Sequence, residues 1–206
     1  KVSLLQKKIE EASVSWNDGL RKVLSETHGE EHGVKLYSRY RDAFSRGYQE
    51  DFSSRRAAHD IQRVKDVVHS SNLGIYFYRP IDVMDGSVRL RLYSQEHEVL
   101  LSDIVPMIEN MGLKVISEKP YEVQPLGQAV VWIKEFSLRT GSDENIIVED
   151  VKESFEEAFS AVWAGVIEND GFNRLVLSAG LTARECVIIR AYAKYLKQIR
   201  IQIGRA

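Results

Sequence analysis

Apolar positions fall at helical spacing toward both ends of the chain and alternate through its middle. Near the amino end Leu5, Ile9, Trp16, Leu20, Val23 and Leu24 recur at mostly helical steps. Residues 3 to 27 therefore predict one long helix or two collinear ones, interrupted only by Gly19 and ending near Gly29. Tyr37, Tyr40, Phe44, Tyr48 and Phe52 follow at steps of three or four, and Ala57, Ile61, Val64 and Val68 continue the pattern, so the first third reads as helical. Its aromatic stripe is read as core rather than as a stacking platform for bases.

The middle changes period. LGIYFYRP (73 to 80) and SVRLRLYSQ (87 to 95) are strand-like on either side of Asp85-Gly86, the dipeptide of a hairpin turn. In SDIVPMIENMG, Ile104, Met107, Ile108 and Met111 share one helical face, with Ser102 expected as the cap and Pro106 near the first turn. At Gly112, which can take the positive φ that closes a helix, the pattern turns into alternation over 113 to 123. A QPLGQ turn leads to a fourth strand at 129 to 139, and a helix over 150 to 169 is expected to open on an Asp150 and Glu153 capping box. Strand, strand, helix, strand, strand, helix is close to the ferredoxin-like split βαβ order. Hairpin pairing and right-handed crossovers then predict the spatial order 73 to 79, 87 to 95, 129 to 139, 113 to 123, a permuted arrangement with its edges open for pairing. FNRLVLSA, suited to a helix, stops at Gly180, and a second capping box, Thr182 with Glu185, precedes ECVIIRAYAKYLKQIRI. The fold class expected is α+β: a four-stranded antiparallel ferredoxin-like sheet flanked by helical segments at both ends. The divisions are a helical segment at 1–71, an α+β domain at 72–170 and a carboxy-terminal helical segment at 171–206.

Composition narrows the function classes. The chain has 206 residues, 44% hydrophobic and 28% charged, which suits real cores. With 28 basic against 30 acidic residues there is no global field to recommend nucleic acid or an anionic membrane as partner. The single cysteine, Cys186, excludes an internal disulfide and fits a reducing compartment. No apolar run reaches the roughly 18 residues of a membrane span, and KVSLLQKKIEEASVSW lacks a signal-peptide core, so a cytoplasmic location is expected. A start at Lys1 rather than Met suggests a piece of a longer polypeptide.

Candidate chemistry is sparse. His28 and His32 stand four apart, a metal-ligand spacing on a helix, but Gly29 and Gly33 interrupt that helix and no third ligand follows; they read as solvated loop residues. Cys186 lies in an apolar run with no neighbouring histidine and reads as a packed thiol. The 13 glycines form neither a dinucleotide fingerprint nor a phosphate loop. Arg190, Lys194, Lys197 and Arg200 make a basic stripe for which Glu149, Asp150, Glu153, Glu156 and Glu157 offer an intrachain counterpart. Glu156 and Glu157 are adjacent and point apart, against acid–base work. No catalytic or metal-binding residue is assigned.

LLSDIVPMIENMGLKVI resembles the first helix and following strand of ACT domains, small βαββαβ regulatory modules that often bind amino acids and pair through their sheets. With EKPYEV and VWIKEFSLR it is similar to the ACT-like segment of the large bacterial NAD-specific glutamate dehydrogenases. RYRDAFS, AAHDI, LRLYSQ and DGFNRLVLSAGLTARECVIIRAYAKYLKQ resemble successive stretches of that family's noncatalytic amino-terminal half, so the likeness covers about residues 36 to 198. It implies a regulatory or assembly segment whose parent converts L-glutamate to 2-oxoglutarate with NAD. The partners implied are the catalytic domain of the same polypeptide and further copies of the chain, with no cofactor in this segment. Two departures from the pattern matter. Gln95, Glu96, His97 and Glu98 replace the turn glycine of amino-acid-binding ACT modules, which counts against an effector there, and Ala183 stands where the family's LTWRE-like block has tryptophan. Neither a glycine-rich lysine pocket for glutamate nor a dinucleotide fold is legible. The alternatives are a free-standing ACT-type amino-acid-sensing module, disfavoured by the missing glycine, and a nucleic-acid-binding protein using the basic stripe, disfavoured by overall charge.

Overall fold

Ser15 accepts a hydrogen bond from the Asp18 amide at 3.2 Å and so starts α1 (Trp16–His28) in the computed structural model. The structure describes residues 15–80, 87–95, 98–140 and 147–199. Leu5, Ile9 and the Asp85-Gly86 turn lie outside them. The chain forms two compact units, Lys1–Gly74 with Tyr93–Glu98 and Pro120–Ile133, and Ile75–Leu92 with Val99–Lys119 and Lys134–Ala206.

In the first unit α1 ends at Gly29, as its spacing predicts, and α2 (Glu30–Tyr40), α3 (Arg46–Asp51) and α4 (Ser54–Ser70) follow. Gly33 does not break the chain into a loop, as expected, but lies inside α2 against α1. A Cβ there would sit 2.5 Å from the Ser25 Cα, so glycine is what lets the two helices meet. The aromatic stripe is not one helical face either. It breaks at residues 41–45, where Phe44 forms an antiparallel bridge with Val123 and the Gln124 amide donates to the Ala43 carbonyl at 3.0 Å. The rings nevertheless converge: Phe44 and Tyr48 are 4.6 Å apart, Tyr48 and Tyr121 5.4 Å, and the Trp16 indole donates to the Phe52 carbonyl at 2.8 Å. Tyr40, Phe44 and Tyr48 are buried, which makes the stripe core. On α4 the inward valine is Val67 rather than Val68.

The second unit carries most of a sheet built from β1 (Gly74–Tyr78), β2 (Val88–Gln95), β3 (Leu113–Val123) and β4 (Val131–Thr140), in the antiparallel order β1-β2-β4-β3. This is the permuted order expected, with the leading hairpin strand filling the place that a closing strand has in an ordinary ACT module. The crossover helix α5 (Leu101–Asn110) buries Ile104, Met107 and Ile108, and Gly112, at φ +85°, closes it. Ser102 is not its cap. The helix starts two residues earlier than that cap would give, after Leu100 and without a side-chain cap, which puts Pro106 in its second turn. The helix α6 (Val148–Trp163) likewise starts before Asp150, so the Asp150 and Glu153 box is not made; Asp150 sits in the first turn instead, favourable to the helix dipole. Phe155 of α6 stacks on Phe77 of β1 at 4.2 Å. A short 3-10 turn (Gly171–Arg174), α7 (Leu175–Ser178) and α8 (Ala183–Gln198) complete the unit. The Thr182 and Glu185 capping box of α8 is present.

Candidate functional site

Of the four turn positions, Gln95 ends β2 half-buried and Glu98 is exposed, while Glu96 and His97 lie outside the described residues. No glycine occurs between Gln95 and the start of α5 to let a ligand's carboxylate approach the backbone.

The other sequence candidates resolve into structural roles. His28 closes α1 and His32 lies in α2, their rings 5.7 Å apart. Partial burial, then His32, then Lys65 hold His28 below the usual histidine range. Among the described residues no group of three or more His, Cys, Asp or Glu is placed to hold a metal. Cys186 is buried, and burial leads the causes that push its thiol up, away from the reactive thiolate. The basic stripe is not one surface. Arg190 is 4% exposed and donates to Asp170 at 2.7 and 3.0 Å and to Asn173 at 2.7 Å, while Lys194 pairs with Glu168. These carboxylates replace the acidic residues of α6 named as its counterpart, because the turn before the 3-10 segment brings 168–173 against α8. Arg200 lies outside the described residues. Burial pushes Asp170 up, but hydrogen bonds from Arg190 and the Phe172 amide and the charges of Arg190 and Lys194 hold it below the usual carboxylate range.

Glu156 does point away from Glu157, and it has a task. Its Oε1 accepts the Phe77 amide of edge strand β1 at 2.8 Å. One edge expected to be open is thereby occupied at that position.

Two buried polar clusters were not foreseen. In the first unit Asp60 is wholly buried and accepts Tyr48 Oη at 2.6 Å and Tyr93 Oη at 2.9 Å, with Arg56 Nε 3.5 Å away. In the second, buried Arg91 of β2 donates to Glu135 of β4, which also accepts Tyr78 Oη of β1 at 3.2 Å. The signal for the second was present: Arg91 and Glu135 are opposite charges midway along strands already expected to be neighbours. The first joins residues 48, 60 and 93, and no local spacing announces it.

The two strands joined by α5, β2 and β3, are separated by β4, so no parallel switch point is formed between them. No described helix is long and apolar enough to cross a membrane.

Comparison with known proteins agrees with the geometry. Three family models match in chain order: glutamate dehydrogenase helical motif 2 at residues 23–67, glutamate dehydrogenase ACT3 domain at 72–151, and glutamate dehydrogenase helical motif 3 at 167–206. Proteins named NAD-specific glutamate dehydrogenase match from Halomonas elongata (41% identical over 99% of this chain), Pseudomonas aeruginosa (32% over 96%) and Mycobacterium tuberculosis (31% over 77%). The chain spans 13%, 12% and 10% of the length of these relatives. With the permuted sheet, the helical flanks and these matches in agreement, the chain belongs to the NAD-specific glutamate dehydrogenase family, as its ACT3 domain with helical motifs 2 and 3.

Proposed function

We propose that this chain is a noncatalytic regulatory or assembly segment of a cytoplasmic, homo-oligomeric polypeptide. That polypeptide oxidises L-glutamate to 2-oxoglutarate and ammonium while reducing NAD at a catalytic domain outside these residues. The observation that carries the reading is a match over nearly the whole chain to relatives of which it makes up only about an eighth. Buried charges here serve packing: Asp60, Arg91 and Arg190 all have partners within their own unit. The segment's work is therefore done by surface and shape.

The test compares the isolated chain with the complete polypeptide. The complete form is expected to produce NADH from glutamate; the isolated chain is expected to produce none and to give no calorimetric signal with NAD at micromolar concentration. Turnover by the isolated chain would overturn the proposal. Free amino acids are expected not to stabilise the chain, since acidic side chains at 96 and 98 repel a carboxylate. Saturable stabilisation by one amino acid, lost on replacing His97 or Glu98, would instead establish a sensor.

A further inference from the structure

The helix α8 is apolar on two opposite sides. One side, Ala183 and Cys186 with the paired Arg190, is buried within the second unit. The other carries Ile188, Tyr192, Tyr195 and the C-capping Ile199, exposed by 45%, 67%, 58% and 49%. Their spacing of four, three and four is the seam spacing of helices that pack on helices. Val187 and Ile189 lie exposed nearby, and Ala191 and Gln198 add no charge beside the stripe. A solvated helix face is polar, and a helix apolar all round is a buried one. Other exposed apolar residues, such as Ile147 and Val166, do not form a periodic row.

We infer that this stripe of α8 is the docking face for an apolar helix supplied by the remainder of the same polypeptide, beyond residues 1–206. The inference rests on the functional reading above and names the surface through which the segment engages its parent. Two observations select that occupant. Relatives of this chain are about eight times its length, so most of the polypeptide lies outside the residues described here. The stripe is four exposed side chains on one helix, whereas a stable interface between free copies takes roughly 20–30 residues a side. A tethered segment needs less area, because its effective concentration is of millimolar order.

Photo-cross-linking in the complete polypeptide tests this. A benzoyl-phenylalanine probe replaces Tyr195 on α8 or, for comparison, Ile116 on β3 or Lys35 on α2, and cross-linked peptides are mapped by mass spectrometry. The expected result is an intramolecular cross-link from position 195 to a peptide beyond residues 1–206. Adding Ile188→Glu and Tyr192→Glu should reduce its yield at least about tenfold, as two charges oppose burial. Cross-links from 195 to a second copy, or to residues 1–14 or 200–206 of the same segment, would overturn the choice of occupant. If 195 gives none while 116 or 35 reaches the remainder of the polypeptide, the docking face is wrong but the assembly reading stands. No cross-link from any of the three overturns both.

Discussion

Gly33 has no room for a methyl group, whereas Gly47, exposed on α3, has nothing within 4 Å of where one would go. Gly33→Ala must push α1 and α2 apart and is expected to cost about 1–3 kcal/mol. Gly47→Ala should gain about 0.4–1 kcal/mol by reducing the freedom of the unfolded chain. Urea denaturation of the two variants checks both signs at once. Arg190→Ala strands Asp170 and the buried Asn173 and should cost about 2–4 kcal/mol near neutral pH. The sign with pH follows from Asp170, whose folded pKa is lowered. Its contribution is fully present above the unfolded value of 3.8 and is lost as pH falls through the lower folded one. The stability gap between wild type and Arg190→Ala should therefore narrow as pH falls below 3.8. A gap that widens in acid would show that Asp170 is not the partner that matters.

Among the elements, β3 is an edge strand of 11 residues with Ile116 half exposed, a template for unwanted pairing. Exposed Lys114 and Lys119 flank Ile116, and Pro120 withholds one amide. Replacing both lysines by valine is expected to increase self-association in sedimentation velocity, with the sheet content unchanged by circular dichroism. Unchanged sedimentation would mean that the lysines do not guard the edge. The element order and the permuted pairing were legible in the sequence because period, the hairpin dipeptide and crossover handedness are local or chiral rules. Caps were legible only in part. Thr182 fits the rule, but α5 and α6 take Leu100 and Ile147 as N-caps with no side-chain hydrogen bond, a start that no capping rule announces. The partner of Arg190 was missed for another reason: 168–173 approach α8 through a turn whose path no periodicity records.

For the whole molecule, the absence of a glycine-rich strand-to-helix turn was readable, and so the expectation that the isolated chain turns over no glutamate needs no structure. What could not be read is that residues 120–133 close the helical region, because their contacts are made by side chains at long sequence separation, such as Tyr121 Oη donating to Asp51 at 2.6 Å. That closure has a consequence for synthesis. As the chain leaves the ribosome, the four described helices up to residue 70 emerge well before Tyr93, which satisfies Asp60, and before Tyr121, which joins the ring cluster. Until residue 133 is out, the first unit holds a carboxylate and several aromatic rings without their later neighbours. Ribosome-stalled chains ending near residue 110 should be cut readily by protease within residues 15–70, and chains long enough to expose residue 133 should resist. The nascent helices thus wait on strands made some 50 residues later, and helical motif 2 completes its fold only with the ACT3 domain in hand.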